Sequence, residues 1–402
     1  LEVLKDAASA AIYGSRSANG VFIITTKQGD KTKTQLNVRY LKSFSNFSRK
    51  MPNANAAERK YYDAVRREVS GQRNEQVYGY TITDSLAYFN NQDQDLQNLL
   101  FRTSVRDEIF LTASGASDAF KYYISTGYLN EEGIVVNSNY NRLTARVNAE
   151  YSPNRKLTIG SKMFLSLSHI DGISESGVLN QALERIPYWA IFNPDGSYVQ
   201  NILSRRNPLA VAMTDIDKDQ RYTLTFYEYL TYNFNKNLTF NSNVQANYNN
   251  LRQQNFRPQP QLSSTERTTG IDYTSLRYGW TNENYFSYKN TFGRDHNVDA
   301  MIGTSFQASY REYVRLAGLD YTTDALYSLN AASGFDTKGS YSRFSENRMA
   351  SFFARAGYNY RGTYLFNANM RYDGSSRFGK NNRWGMFPSA SAAWRFSDEA
   401  FA

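Results

Sequence analysis

His169 and His296 are the only histidines in the 402-residue chain, and there is no cysteine. Thiol nucleophiles, cysteine-based zinc sites and disulfide frameworks are therefore excluded. His169 stands close to Ser166, Ser168 and Asp171, the residue types of a nucleophile, a base and an orienting acid. Ser and Asp are equally common at polar strand ends, so the run has a simpler explanation. His296 lies in a turn whose neighbours supply no further metal ligands. Nothing here assembles an active site, and an enzyme is not expected.

Two glycine-containing segments invite a phosphate or cation reading. Gly14-Ser15-Arg16-Ser17-Ala18-Asn19-Gly20 lacks the Lys-Ser/Thr ending of a phosphate loop and its strand-before, helix-after order. Asp373-Gly374-Ser375-Ser376-Arg377-Phe378-Gly379 reads as a turn between strands, and the carboxylates that calcium needs are few around Asp373. No cofactor or metal is expected. The stretch 183–209 is more suggestive. It carries Tyr188, Trp189, Phe192 and Tyr198 among Pro and Asn, and flat aromatics beside amides stack on sugar rings or grip peptides. The competing view is a loop packed on its own side chains.

Whatever these residues do, strands must position them. In 237–249, Leu238, Phe240, Val244, Ala246 and Tyr248 share one face with Ser242. Thr239, Asn241, Asn243, Gln245, Asn247 and Asn249 take the other. Successive side chains of a strand point to opposite faces, so a wall with one apolar and one polar side must alternate this way. The strand from Arg221 repeats the pattern with one exception, Glu228, on its apolar face.

About twelve such strands are expected, near 34–47, 105–114, 119–130, 139–151, 156–168, 221–234, 238–250, 280–292, 297–311, 347–360, 363–372 and 387–397. Each is about ten residues or longer, the length that crosses a bilayer at a tilt. Short turns at 114–119, 151–156, 234–238, 292–297 and 360–363 alternate with longer connections at 48–104, 131–138, 169–220, 251–279, 312–346 and 373–386. Outer-membrane barrels alternate short and long connections in this manner. Ala56 to Val69, in the first long connection, reads as a short amphipathic helix. Seven of the eight prolines fall in turns or long connections and Pro388 at a strand start, so none is expected within a paired strand, where it would remove a ladder hydrogen bond.

Composition agrees. Mean hydropathy is −0.62, and no apolar run approaches the roughly 20 residues of a membrane helix. A barrel averages its lipid-facing and lumen-facing residues and hides from this measure. Aromatic residues make up 15% of the chain, with 32 Tyr against 4 Trp, as interfacial girdles require. The net charge is +9, but Lys and Arg are scattered, so a basic surface is expected and a nucleic-acid partner is not. The first thirty residues differ. Leu4 to Tyr13 is helix-prone, Gly14 stops it, and Val21 to Thr26 is a short strand.

That opening run, Leu4-Lys5-Asp6-Ala7-Ala8-Ser9-Ala10-Ala11-Ile12-Tyr13-Gly14-Ser15-Arg16-Ser17-Ala18-Asn19-Gly20-Val21 and then Ile23 to Gly29, closely resembles the signature of SusC/RagA-type TonB-linked outer-membrane proteins. In that family it lies at the end of the plug that blocks the barrel. The residues carrying the match are Lys5, Asp6, Ala10, Tyr13, Gly14, Ser15, Arg16, Asn19 and Gly20, with a structural role. Two later stretches also look like the family: Leu111 to Asn148, and Arg371 to Gly379 continued by Arg383-Trp384-Gly385 and Phe387-Pro388-Ser389.

The resemblance implies an all-β transmembrane antiparallel barrel of about 22 strands, here in part, preceded by the end of an α/β plug. Residues 1–30 would end the plug and 31–402 would begin the barrel. It implies a bacterial outer-membrane importer surrounded by lipid and energised by the TonB complex. A SusD-like surface lipoprotein would serve as its lid, and a glycan, or else a peptide, as its cargo. The chain opens at Leu1 and stops in mid-pattern at Ala402, so a fragment is expected, with the TonB-contacting segment and later strands elsewhere. Two rivals share the strand pattern. A passive porin or adhesive barrel has no plug. A soluble β-rich binding protein buries its apolar strand faces in a core, whereas a membrane barrel turns them outward.

Overall fold

The computed structural model describes residues 2–4, 21–23, 27–29, 33–70, 76–77, 80–81, 88–172, 175–199, 206–258 and 267–399. Strands β1 (Glu2–Leu4) and β2 (Val21–Ile23) pair antiparallel as a small sheet of their own. The residues between them, including Lys5 to Gly20 and the expected helix, lie outside the described residues, as do Ile24 to Thr26.

Then come β3 (Gln35–Ser45), helix α1 (Ala56–Val69), the short hairpin β4 (Gln76–Val77) and β5 (Tyr80–Thr81), and α2 (Leu96–Leu100). Strands β6 (Ser104–Ala116), β7 (Phe120–Glu132), β8 (Asn139–Tyr151) and β9 (Leu157–Asp171) follow. Helices α3 (Glu175–Glu184) and α4 (Pro208–Thr214) lead into β10 (Ile216–Asn233), β11 (Leu238–Arg257), β12 (Thr269–Phe292) and β13 (His296–Tyr321). The described chain closes with β14 (Ala332–Phe335), β15 (Tyr341–Tyr360), β16 (Tyr364–Ser375) and β17 (Trp384–Trp394).

Twelve of these strands form one uninterrupted antiparallel path from β3 to β17, with β14 attached to β13. Each hydrogen-bonds its neighbour in sequence, so the wall is an up-and-down meander. Every expected strand is present. Among the described residues β3 and β17 are the two free edges, and the sheet is a wall segment of a barrel that does not close on itself.

Several strands overrun their expected ends. β11 continues past Asn250 to Arg257, β12 begins at Thr269 instead of near 280, and β13 runs on to Tyr321. The connections expected at 251–279 and 312–346 shrink accordingly. The cause is visible in the register. Gln253 pairs with Asp219 and Asn255 with Asp217, each through a side-chain hydrogen bond. Polar residues occupy both faces there, so the ladder continues while the apolar alternation that reveals a strand is gone.

The two faces are distributed inside-out. Ile109, Leu111, Ile124, Leu143, Val147, Met163, Val244 and Phe366 are exposed. Ser125, Asn148, Ser275, Ser305 and Ser351, on the opposite face, are buried. A soluble sheet protein would show the reverse. Glu228, the exception on the apolar face, accepts a hydrogen bond of 2.6 Å from the Ser161 hydroxyl, its cross-strand neighbour. None of the described helices is long and apolar enough to cross a membrane.

The apolar cores of the described residues lie outside the wall, in the long connections. Leu96 and Leu100 of α2, Val135, Val178 and Ala182 of α3, Ile191, and Leu209, Val211 and Ala212 of α4 form one cluster. Tyr188, Trp189, Ala190 and Val199 form a second, against which Ala56, Ala64 and Phe89 pack. Three separate long connections therefore fold into one platform above β3 and β6 to β10.

Candidate functional site

The inner wall takes its shape from the polar face of the strands. Glu150 on β8 accepts hydrogen bonds from the Tyr229 hydroxyl, 2.6 Å away, and from Lys121 Nζ at 3.0 Å. Lys162 Nζ lies over the rings of Tyr227 and Tyr229 at 5.6 and 5.5 Å. The Ser305 hydroxyl donates to Glu283 at 3.3 Å. Arg146 lies over Phe164 at 5.1 Å. Carboxylates, amines, phenols and amides thus alternate on one surface, which suits polar solutes rather than apolar ones.

Residues 27–29 lie against that surface. Asn148, 3% exposed, donates from Nδ2 to the Lys27 carbonyl at 2.8 Å. Gln28 Nε2 reaches the Tyr229 hydroxyl at 3.5 Å. Gly29 is buried so tightly that a Cβ would collide with the carbonyls of Gly115 and Tyr122, so no other residue fits without displacement. This contact marks the polar face as the inner one.

The loop platform is held by directional bonds. Asn55 and Glu58 form a capping box at the start of α1. Gln97 grips Met51 through both of its backbone groups, accepting at 2.9 Å and donating at 2.8 Å. Arg102 donates to the carbonyls of Gly133 and Ser138 at 3.1 and 3.0 Å. Asn207, fully buried, caps α4 and also donates to the carbonyls of Ile191 and Val199 at 2.8 and 3.1 Å. The buried Tyr188 hydroxyl donates to Asp63 at 2.9 Å. Burial first, and the Asp63 hydrogen bond second, push this phenol far above its ordinary range, so it stays neutral. Asp215, at the end of α4, is pushed up to about 6 by burial, against the pull of Arg257 and Arg206. It lines a polar cavity of about 530 Å³ with Arg102, Asn139, Asp171 and Lys218. These residues come from separate segments without a shared motif, and the sequence offers no signal for them.

The candidate residues read from the sequence can now be placed. Tyr188 and Trp189 are buried in the platform and do not face solute in this structure, because they pack against Ala56, Ala64 and Phe89 of the first long connection. Phe192 and Tyr198 lie with ring centroids 5.5 Å apart, tilted by 31°, and stay half-buried. His169 Nε2 lies 2.8 Å from Asp171 Oδ2. Strand alternation turns Ser166 and Ser168 to the opposite face, so no triad forms. His296 Nδ1 meets the Tyr358 hydroxyl at 2.7 Å. The Asp373 carboxylate is engaged by Arg371 Nε at 2.7 Å, on β16 rather than in the expected turn. The nine residues of the plug-like motif lie outside the described residues.

An antiparallel meander with an apolar exterior and a polar interior defines the wall of a membrane β-barrel. The family of TonB dependent receptor-like β-barrels matches residues 166–401, more than half of the chain. The chain belongs to this family. It is 33% identical, over its whole length, to the TonB-dependent receptor P39 of Formosa agariphila, covering 38% of that protein. It is 29% identical to the TonB-dependent receptor SusC of Bacteroides thetaiotaomicron, again over its whole length and 41% of the relative. The chain therefore spans about two-fifths of the curated relatives it matches. Among solved structures, the RagAB peptide importer in its open-open state matches 99% of this chain and 48% of its own. The TM-score is 0.82 at 21% identity, which establishes a common fold.

Proposed function

We propose that the complete protein is a plugged, TonB-energised importer of the bacterial outer membrane that takes up a glycan. Residues 1–30 end the plug and residues 31–402 begin the barrel. The observation that carries this reading is the seat of residues 27–29 on the polar inner wall, through Asn148 and Tyr229. A passive porin has no use for such an occupant. Capture of cargo outside shifts the plug toward a state that the TonB complex can pull, a population shift driven by differential binding. The polar inner surface suits a hydroxyl-rich cargo.

A SusD-like lipoprotein covers the outer mouth as a lid. The platform supports this role in two ways. It is a folded surface with its own core. Its helix α1 also leaves Tyr61, Val65 and Val69 exposed in one stripe at i, i+4 and i+8. A peptide is the alternative cargo, as the name of RagAB states for that importer.

The test is deletion of the full-length gene followed by growth on single glycans and on peptides as sole carbon source. Loss of growth on a glycan, reproduced by disabling TonB, supports the proposal. Loss on peptides alone redirects the cargo. Unchanged growth on every substrate, in a strain without a second copy, refutes import.

A further inference from the structure

The motif running from Arg371 to Trp384 has no part in the import reading, yet it builds a feature on the outer, membrane-facing side of the wall. Gly374 pairs with Trp384 across β16 and β17. A Cβ on Gly374 would stand 2.7 Å from the Trp384 ring, so the absence of a side chain lets the indole lie flat across the strand. The indole stacks on Tyr372 at 4.8 Å and on Phe352 at 6.1 Å. In register beside Gly374 stand Ala350 and then Phe306. One step along, Arg348, Ala308 and Trp280 form the next row. Small residues (Gly374, Ala350, Ala308) thus floor a groove walled by Trp384 on one side and by Phe306 and Trp280 on the other. The groove holds about 820 Å³. It is open, with Trp280 and Trp384 both close to half-exposed.

Its upper end is charged. Arg348 and Arg383 line the same groove. Arg348 is fixed by Glu346, with Nε and Nη2 each 2.7 Å from its carboxylate, yet its side chain remains 73% exposed. Counting Glu346, the rim keeps one net positive charge. Its height follows from the strands. The aromatic wall lies about ten residues from the short-turn end of β15 to β17, which at a tilt near 40° is about 25 Å, the height of the apolar band. Arg348 lies two residues beyond Ala350, or about 5 Å higher. That is where a lipid headgroup sits above its acyl chains.

We propose that this groove is a binding site for a phosphate-bearing membrane lipid, with acyl chains between the indoles and the phosphate on Arg348 and Arg383. Charge complementarity and the apolar-below, cationic-above order select a lipid over a free anion or a peptide. The inference rests on the membrane-facing reading of the apolar strand face, and it is independent of what the barrel imports.

The experiment uses the full-length protein, delipidated in detergent and titrated by native mass spectrometry. The probes are lipid A carrying its phosphates, dephosphorylated lipid A, and inorganic phosphate. Phosphorylated lipid A is expected to bind at least tenfold more tightly than the dephosphorylated form, and inorganic phosphate to leave the protein unoccupied. The double substitution Arg348→Ala, Arg383→Ala should erase that difference, while the control pair Arg252→Ala, Lys218→Ala should keep it. A photoreactive acyl chain on wild-type protein should label the segment 374–384, which guards against a variant that misfolds. Equal binding of both lipids by the wild type, binding unchanged in the double variant, or labelling spread evenly around the barrel each overturns the proposal.

Discussion

Truncating Asn207 to Ala should open the loop platform without touching the barrel. The side chain is fully buried and makes four hydrogen bonds. Its Oδ1 accepts from the amides of Leu209 and Ala210, at 3.2 and 3.3 Å, and caps α4. Its Nδ2 ties the carbonyl of Ile191, in the cluster of α4 itself, and that of Val199, in the second cluster. Loss of a cap costs about 1 kcal/mol. The Ile191 carbonyl keeps the Val199 amide at 2.9 Å, so only the Val199 carbonyl is left without a donor, at about 1 kcal/mol or more. The sum is about 2 kcal/mol, a factor of about 30 in the opening equilibrium. Cleavage of a transiently opened segment tracks that equilibrium when closing is fast. Limited proteolysis of the full-length Asn207→Ala protein should therefore speed up by about thirtyfold, with cuts confined to the platform. The heat-dependent gel mobility of the folded barrel should stay unchanged. A change below fivefold would refute the view that one buried amide joins the clusters, and simultaneous loss of the barrel would refute the independence of platform and wall.

Three further outcomes are expected. Asp215 carries a proton up to about pH 6 in the folded platform, whereas the unfolded chain releases it near pH 4. The platform should therefore lose stability as pH rises from about 4 to 6, by an amount on the order of 2 kcal/mol. Asp215→Asn should flatten this dependence and slow hydrogen exchange in α4 at pH 7; an unchanged pH profile contradicts it. Phe226→Arg, on the outward face, should cost about 2–4 kcal/mol in refolding of the full-length protein into bilayers, while Thr225→Arg on the inner face costs much less. Equal costs would mean that the faces are misassigned. Asn148→Ala removes the donor to the Lys27 carbonyl. It should raise passive entry of large antibiotics through the outer membrane, and unaltered sensitivity would argue against a plug seated there.

The wall was legible because lipid on one side and polar contents on the other force alternation. Residues 238–250 display this almost without interruption, and β11 follows it. Where the strand leaves that environment the pattern stops, so Arg252, Gln253, Gln254 and Asn255 read as loop although they are fully paired. Glu228 looked anomalous for a related reason. Its partner Ser161 lies 67 residues earlier, and only the register of β9 on β10 brings them together. The platform was the least legible part. Its cores combine Leu96, Val135, Ile191 and Val211 from three connections, none with a period that announces burial. Only α1, with its amphipathic spacing, could be read in advance; its Asn55–Glu58 box came with the structure. The aromatic residues at 188–198 were visible as a group, but the same composition serves a packed loop and a binding surface, and burial decides for Tyr188 and Trp189.

The central claim is that this wall turns its apolar face to lipid and its polar face to the interior of a barrel. Single cysteines along β11, a strand with none of its own, test it most directly. Spin labels would be placed one at a time at residues 244 to 248 of the full-length protein in bilayers. Labels replacing Val244, Ala246 and Tyr248 should collide with oxygen dissolved in the membrane, and those replacing Gln245 and Asn247 should not. Equal oxygen access at all five positions, or the opposite alternation, would contradict the account.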